Sequence, residues 1–196
     1  KDSSVVLALA LAAMRGLAEE GFPLPCLHVL HSNTLLENPV VHAYAQGEIQ
    51  SLKAYAREQN LPVRVWVSSP SLSNNYLVNL IGGREIASMP DNSAKCQQQM
   101  KAAPLERSKR RILAEVRQVL GKSFQTDRLV TLVGTRRDES AERGRAMARR
   151  GESAIESVNV LAHRGGEQWV LSPIADFTTM DIFEYLGMVS SGLTRT

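Results

Sequence analysis

The chain has 196 residues, of which 43% are hydrophobic and 22% charged, a composition that excludes an intrinsically disordered protein. Its two cysteines, Cys26 and Cys96, are too few and too far apart for a disulfide framework or a zinc site. No apolar run reaches the roughly 18 residues of a membrane span, and no signal peptide is visible, so we expect a cytoplasmic protein without a membrane partner. The net charge of +3 is compatible with a polyanionic partner.

The first part of the chain alternates between helical and strand patterns. Apolar residues at helical spacing over residues 5–17 predict a buried helix that Gly21 ends. PCLHVLHS predicts a short strand, residues 39–60 predict a second helix, and LPVRVWV, rich in β-branched residues, predicts a second strand. This alternation with short connections is typical of a parallel sheet covered by helices.

The rest of the chain begins with an irregular stretch. Residues 68–100 are rich in Ser, Asn, Gly and Pro and predict a long loop, which in compact domains is commonly functional. Residues 104–120 then predict a helix with Ile112, Leu113, Val116 and Leu120 inward, and RLVTLVGTR predicts a third strand. SVNVLAHRGGEQWVLSPI predicts a hairpin turned at Gly165-Gly166, outside the parallel core, and TTMDIFEYL predicts a helix with a Thr178–Asp181 capping box.

Four segments carry residue types suited to phosphate chemistry. Lys-Asp-Ser-Ser, residues 1–4, stands at the start of the first helix, where unpaired N–H groups and the helix dipole favour an anion. LHSNTLLENP ends the strand PCLHVLHS, and SPIADFTTMDIFEYL follows the hairpin. GTRRDESAERGR follows the third strand and begins a run with six arginines between Arg136 and Arg150, whose planar guanidinium groups suit phosphate.

In this order, the segments resemble the N-type ATP pyrophosphatases, the adenine nucleotide alpha hydrolase group that includes the phosphoadenosine phosphosulfate reductases. Lys1, Asp2 and Ser3 match the end of the family's Ser-Gly-Gly-Lys-Asp-Ser loop. The segment with Phe177 is similar to the family's Pro-Ile-x-Asp-Trp-Thr-x-x-Asp, with Phe for Trp. The family's Gly-x-Arg-x-x-Glu-Ser-x-x-Arg motif is matched by Gly134, Arg136, Glu139, Ser140 and Arg143.

The resemblance implies an α/β, Rossmann-like adenine nucleotide alpha hydrolase fold, with a mostly parallel central sheet, helices on both faces and ATP at the carboxyl ends of the strands. It implies one ATP-pyrophosphatase domain over residues 1–196. The first strand and the start of the phosphate loop would precede Lys1, and further sequence after Thr196 is left open.

The loop Thr34-Leu-Leu-Glu37-Asn38-Pro39, together with KCQQQMKAAPLER, most resembles the ATP-pyrophosphatase subunit of bacterial DNA phosphorothioation systems. In those systems sulfur replaces a non-bridging oxygen of the DNA backbone, a modification used in bacterial defence. The Glu-Cys-Gly cysteine of the reductase branch is absent from residues 1–196, and Asn33 stands where the sulfate adenylyltransferase branch has Asp.

The implied activity is cleavage of ATP to AMP and pyrophosphate, with adenylation of a DNA phosphate oxygen. The implied partners are DNA, a cysteine desulfurase and other phosphorothioation subunits, and homo-oligomer formation is left open. Two alternatives remain. One is a sulfate-assimilation enzyme, either a phosphoadenosine or adenosine phosphosulfate reductase or the small subunit of sulfate adenylyltransferase. The other is a non-catalytic regulatory subunit that binds nucleotide.

The resemblance also implies roles for individual residues, with ATP and Mg²⁺ as cofactors. A 4Fe-4S cluster is a further option that the two cysteines do not support. Cys96 is a candidate for sulfur transfer or for ligating the cluster, and Asp2 is the candidate magnesium ligand. The catalytic candidates are Lys1, Asp2, Ser3, Arg136 and Arg143, and the ATP-binding candidates are Ser4, Ser32, Asn33, Thr34, Glu37, Gly134, Glu139 and Ser140.

Each assignment has a simpler structural alternative. Asp2 or Ser3 would merely cap the first helix, and the loop with Glu37 would be a capping turn. The arginines would form ion pairs on a solvated helix face, and Cys96 would be an inert buried thiol.

Overall fold

The computed structural model describes residues 1–87, 95–121, 129–162 and 166–190. Its contacts divide the chain into two compact units: residues 1–23 with 124–196 form the first, and residues 24–123 form the second. The organisation of residues 1–196 as a single domain therefore stays a prediction. Among the residues described, no helix is both long and apolar enough to cross a membrane.

The helices and strands alternate along most of the chain, as predicted. In chain order they are α1 (Asp2–Glu19), β1 (Leu27–Ser32), α2 (Pro39–Glu58), β2 (Val63–Ser68), α3 (Tyr76–Ile81), α4 (Lys95–Gln97), a π-helical segment (Gln98–Ala102), α5 (Ala103–Leu120), β3 (Val130–Leu132), α6 (Ala141–Arg150), β4 (Val158–Ala162), β5 (Gly166–Leu171) and α7 (Thr179–Ser190).

The first unit contains a three-stranded sheet in the order β3, β5, β4. β4 and β5 pair in antiparallel register as the predicted hairpin, whose residues 163–165 lie outside the described part of the chain. The prediction that this hairpin stands apart from the parallel core is wrong, because β5 pairs in parallel with β3, with Val130 opposite Trp169. The carboxyl ends of β3 and β5 therefore meet at one edge, where open α/β sheets bind ligands.

The core of the first unit lies between α1 and α7. Val5 and Val6 of α1 form a buried cluster with Ile174 and with Ile182 of α7. The predicted capping box at the start of α7 is confirmed: the Thr178 N–H donates to Asp181 Oδ2 (2.7 Å), and the Asp181 N–H donates to Thr178 Oγ1 (3.2 Å). The Thr178 N–H, and after it the Thr178 hydroxyl, favour the ionised carboxylate and lower the pKa of Asp181.

The second unit contains the parallel pair β1 and β2, in register from Leu27–Val63 to Ser32–Ser68. Helix α2 packs against β2, and α5 packs against both strands. A 2.7 Å hydrogen bond between the hydroxyls of Ser68 and Ser108 fixes α5 against the end of β2. The parallel strands and their covering helices are the α/β arrangement that the sequence predicts.

Three details of the second unit differ from the sequence-based predictions. The predicted loop over 68–100 contains α3, because Asn75 caps a helix there by accepting from the N–H groups of Leu77 and Val78. Leu120 is 59% exposed rather than inward, since it lies in the last turn of α5. Cys26, which the sequence predicts inside the strand PCLHVLHS, is exposed just before β1 begins.

Candidate functional site

The N-terminus of α1 lies at the carboxyl edge of the first unit's sheet and has no side-chain cap. Lys1 occupies the N-cap position without a capping hydrogen bond, and its carbonyl accepts from the N–H groups of Ser4 and Val5, each at 3.1 Å. Asp2 and Ser3 lie inside the first turn, so the alternative that either one caps the helix is wrong. Uncapped N–H groups at a helix start are suited to an anionic ligand.

Lys1, Ser3 and Ser4 are the exposed residues of this turn. The Lys1 side chain is 40% exposed, with Nζ 3.9 Å from Asp2 Oδ1 and 5.4 Å from the ring centroid of Phe183. The aromatic face and the carboxylate hold the ammonium group beside the helix start. Ser3 and Ser4 are exposed and available to a ligand.

The loop after β3 lies directly against this first turn, and Gly134 makes the approach possible. A Cβ atom at Gly134 would lie 3.3 Å from both the Asp2 carbonyl carbon and the Ser3 nitrogen. These are backbone atoms that cannot rotate away, so any larger side chain would push the loop from the helix. The sequence prediction placed Gly134 in the ATP site, and the structure places it in contact with Asp2 and Ser3.

Arg136 connects three segments that are distant in sequence. It is 2% exposed, and its Nε donates to Asp2 Oδ1 at 2.9 Å. Its Nη1 donates to the Phe177 carbonyl (3.3 Å) and to Thr179 Oγ1 (3.4 Å), and lies 3.5 Å from Asp138 Oδ2. Arg136 thus holds together the start of α1, the loop after β3 and the start of α7. Its predicted catalytic role stays a prediction.

Arg143 is the more accessible arginine of the motif. Its side chain is 48% exposed and forms an ion pair with Glu139, four residues earlier. Ser140 caps α6, because its Oγ accepts from the Arg143 N–H at 3.1 Å. Glu139 and Ser140 therefore orient the first turn of α6 and leave part of the Arg143 guanidinium open to solvent.

Glu152 was not singled out by the sequence, although it is 5% exposed beside this loop. Its Oε2 accepts from Ser172 Oγ (2.9 Å) and Thr135 Oγ1 (3.2 Å), and its Oε1 accepts from Arg150 Nε (2.5 Å). The Arg150 side chain is 42% exposed, so an arginine on the solvated face of α6 pairs with a buried carboxylate. No motif or periodicity marks a lone Glu after Gly151, so only the fold reveals it.

The remaining ATP-binding candidates lie in the second unit, in the loop after β1. Ser32 Oγ donates to the Met100 carbonyl at 3.3 Å, linking the end of β1 to the π-helical segment. Asn33 Oδ1 accepts from the Leu35 N–H (3.1 Å), and Thr34 Oγ1 accepts from the Leu36 N–H (3.4 Å). Leu35 adopts φ of 65°, so these two bonds stabilise an unusual backbone conformation.

Glu37 does not cap α2, because Asn38 does so by accepting from the Val40 N–H at 2.9 Å. Glu37 Oε2 is buried without a hydrogen-bond partner, as is His31 Nε2. A buried polar atom without a partner is costly, so a water molecule or a ligand group is the expected partner of each. The alternative of a simple capping turn therefore does not account for Glu37.

Few side chains in the described part of the chain could bind a metal ion. Cys96 is partly exposed in α4. The Cys26 residue is exposed, but partial desolvation of its thiol raises the pKa of that thiol. No group of three or more His, Cys, Asp or Glu side chains suited to a metal lies within the described ranges. Two cysteines do not fit a 4Fe-4S cluster, which needs four thiolates. Asp2 has one oxygen taken by Arg136, so its role as a magnesium ligand stays a prediction.

The sequence of the chain matches one known protein family over nearly its whole length. The phosphoadenosine phosphosulfate reductase domain family matches residues 1–191, nearly the whole chain. The chain belongs to this family, part of the adenine nucleotide alpha hydrolase superfamily, whose members bind nucleotides and are generally enzymes. The parallel strands and helices described above agree with the Rossmann-like fold of that superfamily. No curated protein matched the chain.

Proposed function

We propose that this protein is an ATP pyrophosphatase that adenylates a DNA backbone phosphate oxygen and so prepares it for replacement by sulfur. The observation that carries the proposal is the contact of the loop containing Gly134 with the first turn of α1, held by the hydrogen bond from the buried Arg136 to Asp2. This contact brings the Lys-Asp-Ser turn and the Gly-Thr-Arg loop to one edge of the sheet.

The proposed first reaction is attack of a DNA phosphate oxygen on the α-phosphorus of ATP. A new oxygen–phosphorus bond forms, the bond from the α-phosphorus to the bridging oxygen breaks, and pyrophosphate leaves with those electrons. Lys1, the Ser3 hydroxyl and the uncapped N–H groups of α1 bind the departing negative charge. Asp2 is the candidate ligand for magnesium, which would neutralise part of the phosphate charge of ATP when bound.

The proposed DNA contact uses the arginines of α6, which follows the Gly-Thr-Arg loop after the short 3-10 turn Arg137–Glu139. Arg143, Arg145 and Arg149 are exposed on this helix. Exposed guanidinium groups neutralise backbone phosphates and make binding strongly salt-dependent. Helix α6 would therefore present the acceptor phosphate to the edge where ATP binds.

In the second proposed reaction, the terminal sulfur of a desulfurase persulfide attacks the activated phosphorus and AMP leaves. A second thiol then attacks the remaining sulfur–sulfur bond. The thiophosphate departs, and the two cysteines become a disulfide, so the electrons balance. Adenylation is needed because a phosphate oxygen is a poor leaving group, whereas AMP is a good one.

The main alternative is a sulfonucleotide enzyme of sulfate assimilation, which the family's description favours. The two functions differ in substrate. The alternative predicts sulfite from an adenosine phosphosulfate and a thiol, or turnover of sulfate with ATP, and neither reaction depends on DNA.

Pyrophosphate release from MgATP tests the proposal, with and without DNA. We expect DNA to stimulate release by the wild type, and Ser3→Ala to lower the rate about tenfold to a hundredfold through loss of a phosphate donor. Ser51→Ala, on the exposed surface of α2, is the matched control and should keep the wild-type rate. Sulfite or adenylyl sulfate formation without a DNA effect would favour the alternative. ATP binding without any turnover would favour a regulatory subunit.

A further inference from the structure

Glu152 is a buried carboxylate for which the proposed chemistry has no use. It lies just after α6, and both of its oxygens accept hydrogen bonds: Oε1 from Arg150, and Oε2 from Thr135 and Ser172. Ser172 is fully buried. Burying a carboxylate is energetically costly unless hydrogen bonds or ion pairs compensate it. The carboxylate of Glu152 therefore fixes the positions of the side chains that bind it.

The partners of Glu152 lie at the carboxyl ends of β3 and β5. Thr135 follows β3 and Ser172 follows β5, and their hydroxyls lie 3.3 Å apart. The Val133 N–H donates to the Leu171 carbonyl (3.0 Å), continuing the pairing of the two strands up to this point. Glu152 therefore accepts hydrogen bonds from the ends of both strands, at the point where their backbone pairing stops.

Thr135 stands between the two residues that face α1. Gly134 contacts the backbone of Asp2 and Ser3, and Arg136 donates to Asp2. A hydrogen bond that fixes Thr135 consequently limits the position of both neighbours. In this way the carboxylate of Glu152 acts on the Lys-Asp-Ser turn through the loop, without touching the turn.

The backbone of Glu152 is held independently of its carboxylate. Its N–H donates to the Met147 carbonyl (3.0 Å), and its own carbonyl accepts from Arg137 Nη2 (2.5 Å). Arg137 also pairs with Asp176. A change confined to the carboxylate therefore leaves the path of the chain in place, which makes the function of the side chain testable.

We propose that Glu152 is a positioning residue, which holds the loop of residues 134–136 against the first turn of α1 through the hydroxyls of Thr135 and Ser172. Its effect on catalysis rests on the proposed function. Its effect on the position of the loop does not rest on the proposed function. The proposed effect on catalysis and the proposed effect on the loop can therefore be refuted separately.

The test uses Glu152→Gln in the full chain, with Glu156→Gln as the matched control on an exposed nearby carboxylate. We expect Glu152→Gln to lower kcat for pyrophosphate release about tenfold to a hundredfold, as expected for a displaced binding group. Backbone amide exchange in residues 133–137 and 2–5 should accelerate, with exchange in α7 beyond its first turn unchanged. Glu156→Gln should leave the rate and the exchange pattern at wild-type values.

Thr135→Val and the double variant Thr135→Val/Glu152→Gln separate positioning from general stability. If Glu152 acts through Thr135, the double variant should lose no more activity than Glu152→Gln alone, because both changes break one linkage. Additive losses, or unchanged exchange over 133–137 in Glu152→Gln, would overturn the proposal. If the wild type releases no pyrophosphate, the proposed function fails, and the exchange of residues 133–137 still decides whether Glu152 positions the loop.

Discussion

The Asp2 carboxylate accepts a 2.9 Å hydrogen bond from Nε of Arg136, a residue 134 positions further along the chain. The guanidinium is almost fully buried, and its other hydrogen bonds reach the segment that starts α7. This pair links two of the motifs that the sequence predicted to act on ATP. The same residues that would serve nucleotide chemistry therefore also hold the first unit together.

Removing the charge of Asp2 should destabilise the first unit. Asp2→Asn leaves the buried Arg136 without its closest anionic partner, and breaking such a pair costs about 3 kcal/mol. Denaturant unfolding would measure the change, with the exposed Glu20→Gln as a control expected to stay within about 0.5 kcal/mol of wild type. A loss below 1 kcal/mol for Asp2→Asn would show that the remaining acceptors of Arg136 suffice.

Replacing Gly134 by Ala should disturb the same junction through sterics alone. The added methyl would lie 3.3 Å from backbone atoms of Asp2 and Ser3, and overpacking of this kind costs about 1–3 kcal/mol. Gly16→Ala in α1 is the matched control, because nothing lies within 4 Å of its Cβ position. Alanine has the higher helix propensity, so this control should stabilise the protein by about 0.5–1 kcal/mol. Equal effects at the two glycines would contradict the close approach at Gly134.

The capping box of α7 should contribute stability that depends on pH. The Thr178 N–H and hydroxyl lower the pKa of Asp181 below its ordinary value of 3.8, so the folded state holds the ionised form. The contribution is present above 3.8 and is lost as the pH falls through the lowered pKa of the folded state. Asp181→Asn should therefore be less stable than wild type at neutral pH, with the difference shrinking in acid. Denaturant midpoints at several pH values would show this, and a constant difference would refute it.

His28 should make the second unit less stable in mild acid. Its Nδ1 accepts from Trp66 Nε1 (3.0 Å), and burial, followed by the Arg64 charge, lowers its pKa below 6.5, against a smaller opposing effect of Glu115. The unfolded chain then binds more protons, so stability falls as the pH drops through 6.5 and levels off below the lowered pKa. Titration of the imidazole resonances by NMR would test this. A pKa at or above 6.5 would contradict it.

The variant His28→Asn provides the matched control for that pH dependence. Asn keeps an acceptor near the position of Nδ1 but does not titrate. We expect its unfolding free energy to vary less between pH 7.5 and 5.5 than that of the wild type. An unchanged pH dependence would assign the effect to other groups.

Local sequence patterns were sufficient to predict several features of the fold. Period-3.6 apolar spacing marked α1 and α5, the short segment PCLHVLHS marked β1, and a run rich in β-branched residues marked β2. The Thr178–Asp181 pair predicted its capping box correctly. Such features depend on neighbours within a few residues, which the sequence lists side by side. Helix α3 had a local signal as well, the cap at Asn75, but the surrounding polar residues obscured it.

The sequence by itself predicted the order of most helices and strands, the motifs that mark the family, and a Lys-Asp-Ser turn at a helix start, whose lack of a side-chain cap is seen only in the structure. Only the tertiary structure decided that β5 pairs with β3, that Arg136 is buried against Asp2, and that Glu152 holds Thr135 and Ser172. Propensity and capping act within a few residues of the chain. Burial and ion pairing depend on which distant segments meet, and a buried charge is stable only after those segments have supplied its partners.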